Sequence, residues 1–139
     1  MKEDKSYVFD TSAILTYIEN EDGAPEIENL LSKHKKNEIE IYVSFVSLTE
    51  VYYITAREKS EKVAKERMKQ LHALQLKIVE SYYEMNIAAG EIKSKNKLSF
   101  ADAFVAALGK EKNATIIHKD PEYEKVAPAI KQWNLPYKV

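Results

Sequence analysis

The stretch SYVFDTSAILTYI, residues 6–18, decides how the chain is read. A short apolar run ends at Asp10, and a helical pattern starts at once behind Thr11 and Ser12. This is a strand passing straight into a helix, with Thr11 or Ser12 as the expected N-cap. The same alternation continues outward. Asp22-Gly23-Ala24-Pro25 breaks the chain, and Pro25 suits the first turn of a helix whose stripe is Ile27, Leu30 and Leu31. IEIYVS (39–44) reads as a second strand. Ser47-Leu-Thr-Glu50 opens a helix running to about Arg57. Ser60 caps another, with Val63, Met68, Leu71 and Leu74 inward. LKIVE (76–80) is a third strand, and Ser81 caps a helix carrying Tyr82, Met85, Ala88, Ala89 and Ile92. Ser99 caps SFADAFVAALG, which ends at Gly109 and is apolar or small all round, so it is expected to be buried on most sides. ATIIH (114–118) is a fourth strand, Asp120-Pro121 a turn, and the terminal LPYKV a fifth strand. Strands alternating with helices predict an α/β domain with a parallel sheet and right-handed crossovers.

Composition narrows the function classes. The 139 residues fit one domain, 1–139, with a sizeable core. No apolar run is long enough to span a membrane, and the N-terminal MKEDKSYVF lacks the apolar region of a secretory signal. Cytoplasmic placement is therefore the expectation. The absence of Cys excludes disulfides, thiolate zinc sites and a Cys nucleophile, and three scattered His do not build a His cage. A net charge of −1 excludes a bulk polycation but not a local basic patch. Only three Gly are present, none after the first strand, so no phosphate-cradling Gly loop exists there.

Glu is abundant and is explained by exposed helix surfaces. Asp is scarce, so its placement carries more information. Asp10 ends the first strand, where ligands bind in open α/β sheets; taken alone it reads as a turn or cap residue. Glu50 has Val46, Ser47, Tyr53 and Ile54 as its helical neighbours, and Ser47-x-x-Glu50 also reads as a capping box. Asp102 lies inside LSFADAFVAAL, with Leu98, Ser99, Val105 and Ala106 around it. Burying such a carboxylate costs several kcal/mol unless it is paired, hydrogen-bonded or on a metal. Asp120 follows the fourth strand and by itself is a turn starter. Together the four can converge on one sheet edge, Asp10 and Asp120 after strands, Glu50 and Asp102 in first turns of helices. Mutual repulsion is then relieved by a divalent cation, and hard oxygen ligands suit Mg²⁺ or Mn²⁺. Such an ion polarises a phosphoryl oxygen and lowers the pKa of bound water, the chemistry of phosphodiester hydrolysis.

YVFDTSAIL, VSFVSLTEVYYI, LSFADAFVAALGKEKNATII and DPEY, in this order and spacing, resemble the PIN-domain ribonucleases, and among them the VapC toxins of toxin–antitoxin modules. The LSFADAFVAA segment is the most specific part. The resemblance implies a three-layer α/β/α sandwich with a central parallel sheet. It implies Asp10, Glu50, Asp102 and Asp120 as the acidic cluster holding Mg²⁺ or Mn²⁺, and RNA as substrate. It implies products with a 5′-phosphate and a 3′-hydroxyl, a homodimer, and a small antitoxin partner that inserts a peptide near the acids. Ser12 matches the family's hydroxyl after the first acid. It is expected to support a carboxylate or a metal-bound water, or to cap the helix. One departure stands two residues before the last acid, where the family often has Thr or Ser and this chain has His118.

For RNA contact the candidates are Lys33, Lys35, Lys36, Lys93, Lys95, Lys97 and Lys119, most of which also read as ordinary surface charge. Arg57 and Arg67 are the only arginines. Tyr17, Tyr52 and Tyr53 are candidates for base stacking or for core packing. Two other functions fit the same residues: a catalytically quiet PIN-like domain that binds RNA or protein, and an RNA-processing nuclease outside a toxin operon. A haloacid-dehalogenase-type site would need Asp where Ser12 stands, and a receiver domain needs acid pairs this chain lacks.

Overall fold

A computed structural model describes residues 5–121, 123 and 131–135. These form strands β1 (Ser6–Phe9), β2 (Glu40–Ser44), β3 (Lys77–Val79), β4 (Thr115–His118) and β5 (Gln132–Asn134). The helices are α1 (Thr11–Ile18), α2 (Ala24–Lys35), α3 (Phe45–Glu58), α4 (Glu61–Ala73), α5 (Tyr83–Lys95) and α6 (Phe100–Lys112). All strand pairs are parallel, in the order β3-β2-β1-β4-β5. Val8 of β1 lies between Tyr42 and Ile116. The chain builds outward from β1 through β2 and β3, then returns to β1's other side for β4 and β5. The strand order therefore reverses beside β1, and a crevice opens at the carboxyl ends of β1 and β4.

Period-two alternation sorts the core into two layers, one on each face of the sheet. Tyr7, Phe9, Ile41, Val43 and Ile117 pack with Ile14, Ile27, Leu30, Val51 and Leu71 from α1–α4. Val8 and Ile116 turn the other way, onto Met85, Ala89, Phe104, Val105 and Leu108 of α5 and α6. The result is the expected three-layer α/β/α sandwich. Cover on both faces is why the strand segments read as nearly continuous apolar runs.

Several boundaries differ from the sequence expectation. Asp10, not Thr11 or Ser12, is the N-cap of α1, because its carboxylate accepts from the Ala13 N–H. Helix α3 starts at Phe45 with Ser44 as N-cap, so Ser47 lies inside the helix and the Ser47–Glu50 capping box does not form. Glu50 thus sits in the second turn of α3, not the first. Tyr82 rather than Ser81 precedes α5, and the Ser81 hydroxyl donates to the Asn86 side chain instead. Helix α6 runs past Gly109, which is buried, and stops at Asn113 in the left-handed region at φ 49°. Packing of a small residue there outweighs the glycine penalty of about 1 kcal/mol. The fifth strand is Gln132–Asn134, set by the register His118↔Asn134. Leu135 follows it with its N–H donating to the His118 carbonyl at 2.7 Å, and residues 136–139 lie outside the described residues.

Helix α4 has the expected cap, Ser60 Oγ accepting from Val63 N at 3.1 Å. Its buried face is Ala64, Arg67 and Leu71, with Val63, Met68 and Leu74 only half-buried. Arg67 is tied down by donating to Thr55 Oγ1 at 2.9 Å and by pairing with Glu19 Oε1 at 3.1 Å. It links α4 to α3 and to the end of α1. Arg67→Ala leaves Thr55 unpartnered in the core and is expected to lower unfolding free energy by about 3 kcal/mol, measured by urea denaturation. Arg67→Met, which refills the space without a charge, should cost less than half of that.

Candidate active site at the carboxyl edge of the sheet

The site starts with the β1–α1 junction. Asp10 is 4% exposed. Its Oδ1 accepts from the Ala13 N–H at 2.9 Å and from the Ser12 hydroxyl at 2.6 Å. One carboxylate oxygen therefore caps the helix, while the other takes no hydrogen bond among the described residues. Ser12 does not cap. Its Oγ also accepts from the Lys119 N–H at 2.9 Å, which stitches the turn after β4 to the start of α1. Thr11, on the same turn, donates to Glu50 Oε1 at 2.6 Å. The sequence reading treated Thr11 only as a cap and missed this bridge. The signal was its position beside Asp10, but only the packing of α1 against α3 brings Glu50 within reach.

Asp102 comes to the same edge from α6. Ser99 Oγ accepts from its N–H at 3.1 Å, so the serine half of the capping box forms. The Asp102 Oδ1 accepts from the Tyr123 hydroxyl at 2.9 Å. Tyr123 is fully buried and its ring lies against His118, centroids 4.6 Å apart. Its role was invisible in the sequence beyond its place in DPEY. His118 is likewise fully buried. Its Nδ1 accepts from the Asp120 N–H at 3.0 Å, and its Nε2 lies 3.1 Å from Gln132 Oε1. The acceptor role of Nδ1 assigns the proton to Nε2, which donates to Gln132. His118 thus shapes the turn that carries Asp120.

The electrostatics follow from this geometry. Burial pushes the Asp10 carboxyl up to about 7, against the opposing help of Ser12 and Ala13, with Asp102 and Asp120 adding repulsion. Burial also raises Asp102, and its hydrogen-bonded neighbour Asp120 raises it further, while Tyr123 and Ser99 oppose this. Burial and these acids hold the Tyr123 hydroxyl well above its usual range, so it stays a donor. Asp10 and Asp102 therefore share one field with Asp120 beside them, and Glu50 is bonded to Thr11 on the turn that follows Asp10. Among the described residues no lysine or arginine pairs with Asp10, Glu50 or Asp102. The donor set is oxygen only, which fits a hard divalent cation. Among the described residues no three of these acids close into a ready-made cage. An ion would then keep several of its waters, as Mg²⁺ does.

The candidate cations fare unevenly. Lys119 Nζ is buried, without a hydrogen-bond partner, 4.0 Å from Glu21 Oε1; it is not available to RNA. Lys93 donates to the Leu98 carbonyl at 2.9 Å and steadies the approach to α6. Lys33, Lys35 and Lys36 end α2, which leads into the start of β2, the sheet edge opposite Asp10. Lys95 and Lys97 are exposed just before Ser99. Arg67 is the structural residue described above. Tyr17 is half-buried against the α2–α4 side, whereas Tyr53 is exposed beside Glu50.

A family model described as PIN domain matches residues 7–128. The chain belongs to the PIN-domain family. Solved structures with the same fold include VapBC2 of Rickettsia felis bound to a DNA fragment from their promoter. That match has a TM-score of 0.77 and 18% identity over 94% of this chain and 99% of that one. DNA-bound VapBC of Salmonella typhimurium matches at TM-score 0.74 and 15% identity, covering 94% and 98%. Mycobacterium tuberculosis VapC20, a sarcin–ricin loop cleaving toxin, matches at 0.69 and 14%, covering 87% and 95%. At these identities the likeness is one of fold. Among curated proteins no sequence matches. Among the described residues of this PIN domain, no helix is long and apolar enough to cross a membrane.

The raised Asp10 makes a stability prediction. Because its carboxyl moves from 3.8 unfolded to about 7 folded, the folded state binds the proton more tightly. The penalty for ionising it is absent below about pH 4, grows between, and is complete above about pH 7. In EDTA at pH 8, Asp10→Asn keeps the cap and is expected to be more stable than wild type, by at most about 4 kcal/mol. The two should converge near pH 4. Asp10→Ala should gain about 1 kcal/mol less, since the cap is lost. Thermal unfolding at both pH values measures this, and equal stability of wild type and Asp10→Asn at pH 8 would contradict it.

Proposed function

We propose that this PIN domain is a divalent-metal-dependent endoribonuclease, the toxin of a toxin–antitoxin pair, acting as a homodimer in the cytoplasm. The observation that carries the reading is the field shared by Asp10, Asp102 and Asp120 at the strand-order switch, with no basic side chain paired to Asp10 or Asp102 among the described residues. A quiet binding domain has no reason to keep such a cluster. Fold likeness to VapBC and FitAB complexes supports a small antitoxin partner. VapC20, described as cleaving the sarcin–ricin loop, supports RNA as the substrate class.

In this reading Asp10 and Asp102, with Glu50 and Asp120 beside them, would hold Mg²⁺ or Mn²⁺. When bound, the ion supplies Lewis-acid polarisation of the scissile phosphate and a water of lowered pKa. The protein's own part is positional. Ser12, Ala13 and the start of α1 hold Asp10 in place and favour its charged form. Thr11 and Tyr53 engage both oxygens of Glu50, at 2.6 and 3.4 Å, which suits Glu50 to orienting waters rather than binding the ion itself. Tyr123 fixes the rotamer of Asp102. Hydrolysis leaves a 5′-phosphate and a 3′-hydroxyl.

Purified protein is expected to cut RNA with Mg²⁺ or Mn²⁺ and to stop in EDTA. Asp102→Asn should abolish cleavage with an unchanged circular dichroism spectrum. Thr11→Val, which frees Glu50 without touching a direct ligand, should lower cleavage roughly 10- to 100-fold. Cleavage that persists in Asp102→Asn or in EDTA would remove the metal-nuclease reading. RNA binding without cleavage under any metal would favour the quiet binding domain.

A further inference from the structure

Beside the acids lies a groove of about 420 Å³ between α3 and α6, lined by Phe45, Thr49, Glu50, Tyr53, Ser99 and Phe100. Two of its walls are aromatic and open to solvent. Phe100 is 64% exposed and Tyr53 38%. An exposed Phe at the first position of a helix is a poor choice for solubility and for helix starting, where an acid would serve better. The ring is nonetheless supported. It lies against Phe104, centroids 5.1 Å apart and tilted 60°, and Phe104 in turn meets Phe45 edge-on at 5.2 Å. Phe100 is therefore backed by the core on one side and uncovered on the other.

The opposite wall is ordered by helix spacing. Glu50, Tyr53 and Arg57 fall on one face of α3. The Arg57 guanidinium lies over the Tyr53 ring, 5.0 Å from its centroid, and the Tyr53 hydroxyl faces Glu50. Along this face the surface passes from acid to aromatic to cation. At one end Glu50 is bonded to Thr11, next to Asp10; Phe100 stands two residues before Asp102. The groove therefore meets the acids at Glu50.

We infer that Tyr53 and Phe100 form a stacking shelf for one unpaired nucleobase next to the scissile phosphate, with Arg57 holding a neighbouring backbone phosphate. The inference rests on the ribonuclease reading above. Any base offers a π-face to an aromatic wall, so the shelf selects single-stranded over paired RNA rather than a sequence. The guanidinium supplies the positive charge that the acidic cluster denies to an approaching phosphate. A base must leave its helix to enter, so loops and unpaired ends are the favoured substrates.

The test is fluorescence anisotropy in EDTA with a short labelled oligoadenylate and with a hairpin duplex as control. Phe100→Ala and Tyr53→Ala are each expected to weaken single-strand affinity about tenfold, leave duplex affinity unchanged and leave the sedimentation coefficient unchanged. Phe100→Trp should restore binding. Arg57→Gln should reduce the salt slope for the single strand by about 0.7. Loss in Phe100→Ala with rescue by Trp supports the shelf whether or not the wild type cuts RNA. Unchanged affinity in Phe100→Ala, while wild type still shows metal-dependent cleavage, overturns the shelf and leaves the nuclease reading standing. A wild type that neither binds nor cuts RNA overturns both. Loss of binding together with a changed sedimentation coefficient and no rescue by Trp makes the patch an interface between copies and overturns the shelf.

Discussion

Burial pushes the Asp10 and Asp102 carboxyls up, and Asp120 beside them adds repulsion. The architecture around the site answers to that repulsion. Two strands must end side by side to bring Asp10 and Asp120 together, which the order β3-β2-β1-β4-β5 does at the switch beside β1. A helix must deliver Asp102 to the same edge, which α6 does on its way to β4. The resulting field is a large local unfavourable term, and a cation is the simplest group that turns it favourable.

Among the described residues, the groups that hold Asp10, Glu50 and Asp102 are neutral. Ser12, Thr11 and Tyr123 donate hydroxyl hydrogens, and Ala13 donates a backbone N–H. Neutral donors fix geometry without cancelling charge, so the field stays available. A buried lysine would have quenched it. Lys119 shows the alternative: its backbone N–H serves the site through Ser12, while its ammonium is turned away towards Glu21. His118 is the same kind of device. Its imidazole accepts from Asp120 N and backs Tyr123, the donor to Asp102.

Much of this was legible in the chain. Asp scarcity singled out Asp10, Asp102 and Asp120, and the periodicity placed β1, β2, β4 and α6 to within a residue or two at most ends. Misses came where one residue had two local readings. Ser44 and Ser47 can both start α3; packing of Val46 and Val51 chose Ser44, and Glu50 moved from a cap to a second-turn residue facing Thr11. Asp10 was read as ligand or cap, and it is both placed as the cap and set among the acids. Nothing local to Arg67 reveals that Thr55 and Glu19 wait for it.

What the sequence alone determined is whatever depends on near neighbours along the chain. That covers the alternation of strands and helices, the parallel α/β class, the family resemblance, and the choice of four acids as candidates. Tertiary structure alone decided the pairings across long separations: Thr11 with Glu50, Ser12 with Lys119, Tyr123 with Asp102, and the shelf between Tyr53 and Phe100. The physical reason is range. Periodicity and capping act over three or four residues, whereas hydrogen bonding, desolvation and stacking act on groups adjacent in space, and only the packed sheet defines that adjacency.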